Sequence, residues 1–388
     1  MNEPNVMDED WELLISMMPK GWRELARQTG ATKGLRKVKE EGDCLRTLLL
    51  HLACGYSLRE TAARAKEAGL ADLSDVALLK RLRKSKDWLH GLCRQLLLEQ
   101  GPMSEPPACG HLRLVDATAI KEPGPTGSVW RIHYSLRWPQ FACDHFELTA
   151  TQGRGSGESL IRFPVRSGDH LLADRGYSHY QGVRHVSQRG GVITVRFRPA
   201  GARLLDAAQK PFQLKRHLRR IKKTGEVACW PVSLAEGPAD RASQRLPLSP
   251  PVPGRLCVLR KTKIATARAE ARARRKACKN ECNLKPDTLL YAGYVMIFTT
   301  ADPEDFDARQ ILETYRLRWQ IELVFKRFKQ LAQMGHLPKE DEESSKAWLY
   351  GKLLVALLTE RLIQRAESFS PWGYEVAPTP GKKPLERV

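Results

Sequence analysis

Hydrophobic and polar positions divide the chain into a helical first part and a remainder in which helices and strands alternate. In residues 1–105 the apolar positions recur at helical spacing and predict an all-α N-terminal domain. The motif S-L-R-E at 57–60 is typical of a capping box, so a helix is predicted from there to about residue 68. Ser74 is predicted to cap a second helix, and a third is expected from about Asp87.

A linker rich in Pro and Gly follows at 101–110, and beyond it alternating apolar and polar residues predict strands. Three strands in sequence, followed by alternating helices and strands, predict an α/β fold with a mixed sheet flanked by helices. The strands are predicted at 111–118, 129–137, 146–153, 170–174, 191–197, 226–234, 255–262 and 288–300. The helices of this part are predicted at 157–163, 179–188, 268–279, 313–331 and 347–367.

These elements predict how the chain is divided beyond its first domain. The mixed sheet is assigned to 110–200 and 288–368, with the apolar helix 347–367 expected to pack over it. Between these segments, 201–287 is predicted to form a basic, β-rich insertion. The tail, 369–388, is rich in Pro and charged residues and is predicted to be loose.

Charge changes this picture by pointing to a partner. The chain has 388 residues, a net charge of +20 and an isoelectric point near 9.7, values typical of proteins that bind polyanions. The segment 201–286 holds 21 Lys and Arg against 6 Asp and Glu, an excess of 15 positive charges. We interpret it as a phosphate-binding surface; a disordered basic insert is the alternative.

The remaining composition predicts where the protein resides. No apolar run approaches the length of a membrane span, and the acidic N-terminus lacks the pattern of a signal peptide. Nine Cys without the spacing of a disulfide framework indicate free thiols in a reducing compartment. We therefore expect a cytoplasmic protein.

The predicted helix 313–331 carries the first candidate chemistry. Its apolar residues fall on one arc, and Tyr315, Arg318, Glu322 and Lys329 fall together on another. A solvated face with ion pairs four residues apart would produce the same pattern. The second arc places a carboxylate between two cations and a phenol.

Two aspartates upstream share a setting that complements this face. Asp116 and Asp174 are each predicted at the end of an apolar strand, where ligands bind at the rim of an α/β sheet. A lone Asp at such a position is usually a turn or cap residue. Asp169, which precedes the fourth strand, is a distant substitute for the second acid.

The spacing Tyr315, Arg318, Glu322 and Lys329 resembles the Y-R-E-K signature of insertion-sequence transposases of the DDE class, IS-four family. Asp174-Arg175-Gly176-Tyr177 and Asp116-Ala117-Thr118 resemble the blocks around that family's two aspartates. The resemblance covers roughly 110–200 and 288–365, with a weaker likeness at the N-terminus. It implies a ribonuclease H-like sheet domain.

The same resemblance implies roles for individual residues. Asp116, Asp174 and Glu322 would be the catalytic acids and would bind Mg²⁺ or Mn²⁺, two ions per site. Other residues would contact DNA: Tyr315, Arg318, Lys329, Arg175 and Trp319 in the sheet domain, and Lys80 and Arg81 in the helical domain. The helical domain resembles a helix-turn-helix reader by its pattern of short helices, and a plain helical packing domain is the alternative. The partners would be double-stranded DNA, meaning the terminal inverted repeats and the target, and a second subunit in a synaptic dimer.

The sequence therefore predicts a DNA transposase that cleaves transposon ends and joins the 3′-hydroxyl to target DNA. Two alternatives stay open. One is a ribonuclease H-like nuclease, and the other is a non-catalytic DNA-binding protein derived from a transposase.

Overall fold

The computed structural model describes residues 6–34, 38, 40–99, 111–121, 129–153, 156–199, 203–237, 249–330, 337 and 341–367. The predicted linker 101–110 and tail 369–388 lie outside the described residues. The chain forms two compact units, Met1–Gln100 with Lys339–Val388, and Gly101–Pro338. No helix within the described ranges is long and apolar enough to cross a membrane.

The first unit is helical, and its caps follow the sequence signals. Its helices are α1 (Val6–Ser16), α2 (Trp22–Gln28), α3 (Glu41–Leu52), α4 (Leu58–Glu67), α5 (Asp75–Lys84), α6 (Lys86–Glu99) and, from the C-terminal segment, α13 (Glu342–Glu367). The Ser57 hydroxyl accepts a hydrogen bond from the Glu60 N–H, and the Ser74 hydroxyl accepts one from the Ala77 N–H. These bonds fix the first turns of α4 and α5, as predicted.

Helix α13 packs against α6, α5 and α3, which differs from the expectation that it covers the sheet. The ring of Tyr350 stacks on His90, with 4.5 Å between centroids. Gly351 meets Leu52 so closely that an added Cβ would lie 2.5 Å from Leu52 Cδ1. An apolar helix pattern reports that a face is buried but not which partner buries it, and the sequence could not distinguish these two partners.

The second unit is built on one nine-stranded sheet in the order β3-β2-β1-β4-β5-β9-β8-β7-β6. Its strands are β1 (His111–Lys121), β2 (Val129–Arg137), β3 (Ala142–Ala150), β4 (Asp169–Ala173), β5 (Val192–Arg196), β6 (Arg203–Leu205), β7 (Val227–Ala235), β8 (Val252–Arg260) and β9 (Tyr294–Thr299). β1, β4 and β5 run parallel, and the other neighbours pair antiparallel. The mixed sheet flanked by helices is confirmed, and it is compatible with a ribonuclease H-like transposase fold.

The helices of this unit are α7 (Tyr180–Gln188), α8 (Leu214–Leu218), α9 (Lys263–Lys279), α10 (Pro286–Ala292), α11 (Ala308–Thr314) and α12 (Trp319–Gln330). The segment predicted as a strand at 288–300 is half helix, because Pro286 opens α10 before β9 begins. Between 201 and 287 the strands β6, β7 and β8 extend the main sheet beyond β9 instead of forming a separate layer.

The predicted helix 313–331 is interrupted in the structure. Four residues, Tyr315–Arg318, form a 3₁₀ turn between α11 and α12. The apolar arc is confirmed where side chains are described, since Ile321 is fully buried and Val324 and Phe325 are nearly so. The Phe325 ring meets Tyr134 of β2 edge-on, with 6.0 Å between centroids, so α12 packs on the sheet.

Candidate active site

Asp116 and Asp174 are brought together by strand register. β1 and β4 pair in parallel, and their last paired residues are Val115 and Ala173. Each aspartate is therefore the next residue on its own strand. The prediction that Asp116 ends its strand was wrong, because β1 continues to Lys121 in pairing with β2. Asp116 instead marks the point where β4 ends beside it.

Backbone amides orient both carboxylates. Asp116 Oδ1 accepts a hydrogen bond of 2.8 Å from the Ala117 N–H. Asp174 caps the 3₁₀ turn Arg175–Tyr177, and its Oδ1 accepts from the Gly176 N–H at 2.6 Å. The 3₁₀ turn after Asp174 therefore fixes the Asp174 side chain.

Arg318 joins the third predicted acid to the first. Its Nη1 lies 3.3 Å from Asp116 Oδ2, and its Nη2 donates to Glu322 Oε1. Asp116 and Arg318 side chains are both 15% exposed, and Glu322 is 46% exposed. One guanidinium therefore touches carboxylates that are 206 residues apart in the chain, next to the point along β1 where its pairing with β4 stops.

Two acids of this cluster, Asp116 and Glu158, have raised pKa values. Burial raises the pKa of Asp116 to about 7, and the charges of Asp174 and Glu158 add to the rise against the opposing Arg318. Burial also raises the pKa of Glu158, again reinforced by Asp174. A cation placed among these carboxylates would relieve that repulsion.

The donor set fits a hard divalent cation. Carboxylate oxygens are the ligands that Mg²⁺ and Mn²⁺ prefer, and the buried, mutually repelling acids supply negative charge in a confined space. In the part of the chain that the structure describes, no group of three His, Cys, Asp or Glu is already arranged around a single ion position. The Arg318 guanidinium is the positive charge now lying between Asp116 and Glu322.

Tyr315 lies under this cluster. Its side chain is 9% exposed, its ring faces the Arg318 guanidinium at 5.9 Å, and its hydroxyl has no hydrogen-bond partner within the described ranges. Burial raises its pKa to about 12, so the phenol is neutral at ordinary pH and available as a donor. The sequence placed Tyr315 on the polar arc, and it is a buried polar group.

Trp319 and Lys329 lie on α12 on either side of Glu322 along the sequence. The Trp319 indole is 56% exposed, which is unusual for so large an apolar side chain. Lys329 follows Glu322 by seven residues, so it lies about 10 Å farther along the helix on nearly the same side. Both are accessible to a bound polymer.

A group of cations adjoins the acids, and the sequence singled out only one of them, Arg175. Arg175 follows Asp174, and burial together with Arg196 and Arg198 lowers its pKa. Burial also lowers the pKa of Lys261 to about 8, helped by Arg196, Arg175 and Arg272. We call Arg175, Arg196, Arg198, Lys261 and Arg272 the cation cluster; mutual repulsion of this kind favours an anionic ligand.

The predicted cations of the first unit have unequal surroundings. Lys80 is exposed on α5. Arg81 is half-buried, and its Nη1 donates to the carbonyl oxygens of Ala31 at 2.5 Å and Lys33 at 3.3 Å. Arg81 therefore ties α5 to the turn after α2, which is a structural task, and leaves Lys80 and Lys84 as cations open to solvent.

The rival acids at the other end of the strand form a structural cluster. Arg113 lies 2.9 Å from Asp169 Oδ2 and 2.7 Å from Asp144 Oδ2, and all three are largely buried. Asp144 belongs to β3, so this cluster joins β3 to the starts of β1 and β4. His133 is fully buried and contacts Thr149 Oγ1 at 3.0 Å, as expected of a core histidine.

This fold and site define an α/β protein in which buried carboxylates meet beside a cationic surface, a combination suited to phosphoryl chemistry on a polyanion. Residues 154–358 match the family described as Transposase DDE domain, and the chain belongs to that family. The matched range contains Asp174 and Glu322 and begins after Asp116.

Relatives extend the similarity over nearly the whole chain. The putative transposase InsL for insertion sequence element IS186A of Escherichia coli (strain K12) is 32% identical over 376 residues, covering 95% of this chain and 97% of the relative. The transposase for insertion sequence element IS421 of Escherichia coli is 32% identical over 377 residues, with the same coverage. A transposase for IS231F of Bacillus thuringiensis subsp. israelensis is 41% identical over 69 residues, or 18% of this chain. The protein is a DDE transposase, an enzyme family that uses divalent metal ions and acts on DNA.

Proposed function

We propose that the protein cleaves the ends of its own insertion element and joins the freed 3′-hydroxyl to target DNA, with Asp116, Asp174 and Glu322 as the catalytic acids. The observation that supports this assignment most directly is the Arg318 guanidinium, which contacts both Asp116 and Glu322 beside the parallel pair that ends at Asp174. We place the sheet in the ribonuclease H-like class and the Tyr315, Arg318, Glu322 and Lys329 pattern in the IS-four family.

The three acids would hold two Mg²⁺ or Mn²⁺ ions. When bound, such ions stabilise the charge that develops on a phosphodiester during an in-line displacement. Asp116 and Asp174 are held in place by the amides of Ala117 and Gly176, so their free oxygens stay directed without reorganisation. Arg318 neutralises Asp116 and Glu322 in the metal-free chain. With ions bound to these acids, its forked donors would be free to bind a phosphate.

The DNA would lie across α12 and the cation cluster. Arg175 joins the acids to the rest of the cation cluster. It follows Asp174 directly, and the charges of Arg196 and Arg198 lower its pKa. The exposed Trp319 can stack on an unpaired base, Tyr315 can donate to a phosphate, and Lys329 can contact the backbone farther along. In the helical unit, Lys80 and Lys84 of α5 would contact duplex DNA, whereas Arg81 supports the helix.

Two copies of the chain would pair the two ends in a synaptic dimer. Since chromosomal DNA is the substrate, we place the protein with the bacterial nucleoid in the cytoplasm. The terminal inverted repeats that flank the gene would be the sequence-specific ligand of the helical unit.

The test is cleavage of a supercoiled plasmid that carries both element ends, with Mg²⁺ present. Asp116→Asn, Asp174→Asn and Glu322→Gln should each abolish nicking at the ends while leaving binding of the end DNA within a few-fold of wild type. Asp305→Asn, an exposed acid of the same unit, is the matched control and should cleave normally.

The products discriminate among the functions. Joining of labelled 3′ ends to a target plasmid identifies a transposase, and cleavage without joining would identify a nuclease. Retention of cleavage in Asp116→Asn would refute the site assignment. Binding of the ends without any cleavage by the wild-type chain would identify a DNA-binding protein that has lost its chemistry.

A further inference from the structure

Gly176 reveals a carboxylate that the three predicted acids do not include. A Cβ built on Gly176 would lie 1.9 Å from Glu158 Oε2 and 3.0 Å from Asp174 Oδ1. Those two oxygens are therefore no more than about 5 Å apart, within reach of one divalent cation whose oxygen ligands lie at about 2.0–2.6 Å. The missing side chain of Gly176 is what lets a second carboxylate approach Asp174.

The protein alone offers the Glu158 carboxylate few stabilising contacts. Its half-buried carboxylate makes no hydrogen bond or ion pair with the residues that the structure describes. Its loop is held by other groups, since Arg131 Nη1 donates to the Ser156 carbonyl at 2.8 Å and Arg162 Nε donates to the Gly157 carbonyl at 3.2 Å. Burial and repulsion from Asp174 raise the pKa of Glu158 against the weaker attraction of Arg131 and His179, so a bound cation would stabilise its charged form.

Tyr177 provides a second, independent sign of a ligand. Its side chain is 0% exposed, and its hydroxyl has no partner within the described part of the chain. The charges of Asp116, Glu158 and Asp174 all act on this hydroxyl, and together with burial they raise its pKa. A buried O–H that lacks a partner and is subject to the charges of three acids is available to donate to a ligand bound near them.

We propose that Glu158 is a fourth carboxylate of the active site, an inference that rests on the proposed transposase function. It binds a hard divalent cation, Mg²⁺ or Mn²⁺, jointly with Asp174, and the Tyr177 hydroxyl donates a hydrogen bond at the edge of that position. Gly176 is required because any side chain there displaces the Glu158 carboxylate.

Binding of Mn²⁺ to the full chain without DNA tests this directly, because it needs no turnover. Titration calorimetry should find Mn²⁺ bound about 10–100-fold more weakly by Glu158→Gln than by wild type, the range seen when a supporting metal-site group is lost. Gly176→Ala should weaken binding similarly, since it pushes the carboxylate away while keeping its charge and the Gly176 N–H. Glu304→Gln, which removes one exposed charge from the same unit, should bind Mn²⁺ as wild type does.

Thermal unfolding separates a ligand from a structural residue. In EDTA, Glu158→Gln should be as stable as wild type or more so, because repulsion from Asp174 is removed. Added Mn²⁺ should raise the melting temperature of wild type more than that of the variant. A lower melting temperature in EDTA together with unchanged Mn²⁺ affinity would make Glu158 a structural residue and overturn the inference.

The outcome is also separable from the proposed function. If Asp116→Asn abolishes end cleavage while Glu158→Gln binds Mn²⁺ normally, the transposase site stands and only the fourth carboxylate is wrong. If Asp116→Asn still cleaves, the site assignment itself fails.

Discussion

The pKa of Asp116 makes the metal-free enzyme sensitive to pH in a way that can be measured. In the folded chain burial and neighbouring acids hold that pKa at about 7, against 3.8 for an ordinary Asp. The pKa of Asp116 is higher in the folded chain than in the unfolded chain. Ionisation of Asp116 therefore does not reduce the free energy of unfolding below about pH 4, and the loss grows until the pH passes about 7. The rise corresponds to about 4 kcal/mol of lost stability at pH 8.

Replacing Asp116 by Asn removes this penalty with little change of shape. The amide oxygen can still accept from the Ala117 N–H, and Arg318 keeps Glu322 as a partner. In EDTA at pH 8 we expect the sheet unit of Asp116→Asn to be about 2–4 kcal/mol more stable than wild type. At pH 4 the two proteins should differ by less than about 0.5 kcal/mol, since Asp116 is then protonated.

Urea unfolding read by hydrogen exchange of peptides from β1 and β4 measures the stability of this unit separately from the helical one. Asp305→Asn, exposed on the same unit, should show no such pH-dependent gain. If Asp116→Asn is less stable than wild type at pH 8 in EDTA, attraction to Arg318 outweighs burial. That result would refute the claim that ionised Asp116 destabilises the metal-free chain.

Three further predictions concern the cation cluster and the helical unit. The double variant Arg196→Ala, Lys261→Ala should reduce the magnitude of the slope of log binding constant against log salt concentration by about 2. Fluorescence anisotropy with duplex DNA measures this slope, and an unchanged slope would exclude both residues from the DNA interface. Gly351→Ala should lower the free energy of unfolding of the helical unit by about 1–3 kcal/mol despite Ala's better helix propensity, and Leu52→Ala should reduce that effect in a double-mutant cycle. Against an opposing burial effect, hydrogen bonds from Ser344 and the ion pair with Arg83 lower the pKa of Asp341 to about 2. Asp341→Ala should therefore cost about 1 kcal/mol at pH 7, measured by urea unfolding, and the cost should fade as the pH drops from 4 towards 2.

Much of the fold follows from local patterns. The caps at Ser57 and Ser74, the first five strands and the helix after Asp174 could all be predicted, because alternation and capping are properties of neighbouring residues. Strand ends were harder. The continuation of β1 past Asp116 depends on pairing with β2 alone, and the α10 segment begins at a Pro inside an apolar run.

Partners that are distant in sequence account for most of what could not be predicted. Helix α13 has apolar residues on several sides, and only three-dimensional packing decides that α6 receives it. The sequence predicted a helix over 157–163, whereas Glu158 lies in a loop before the 3₁₀ turn Leu160–Arg162. Its importance appears only when Gly176 lets it approach Asp174. The cation cluster draws on 175, 196, 198, 261 and 272, which form no motif in the chain.

Two different kinds of constraint position the three predicted acids. Asp116 and Asp174 depend on the register of β1 against β4, and a slip of one residue would turn Asp174 to the opposite face of the sheet. Leu171, Leu172 and Ala173 are fully buried on β4, so such a slip would disturb the core on both faces. Glu322 depends instead on the phase of α12, where one residue is about 100° of rotation. The 3₁₀ turn Tyr315–Arg318 sets that phase, so two of the predicted site residues, Tyr315 and Arg318, determine the direction in which Glu322 leaves α12.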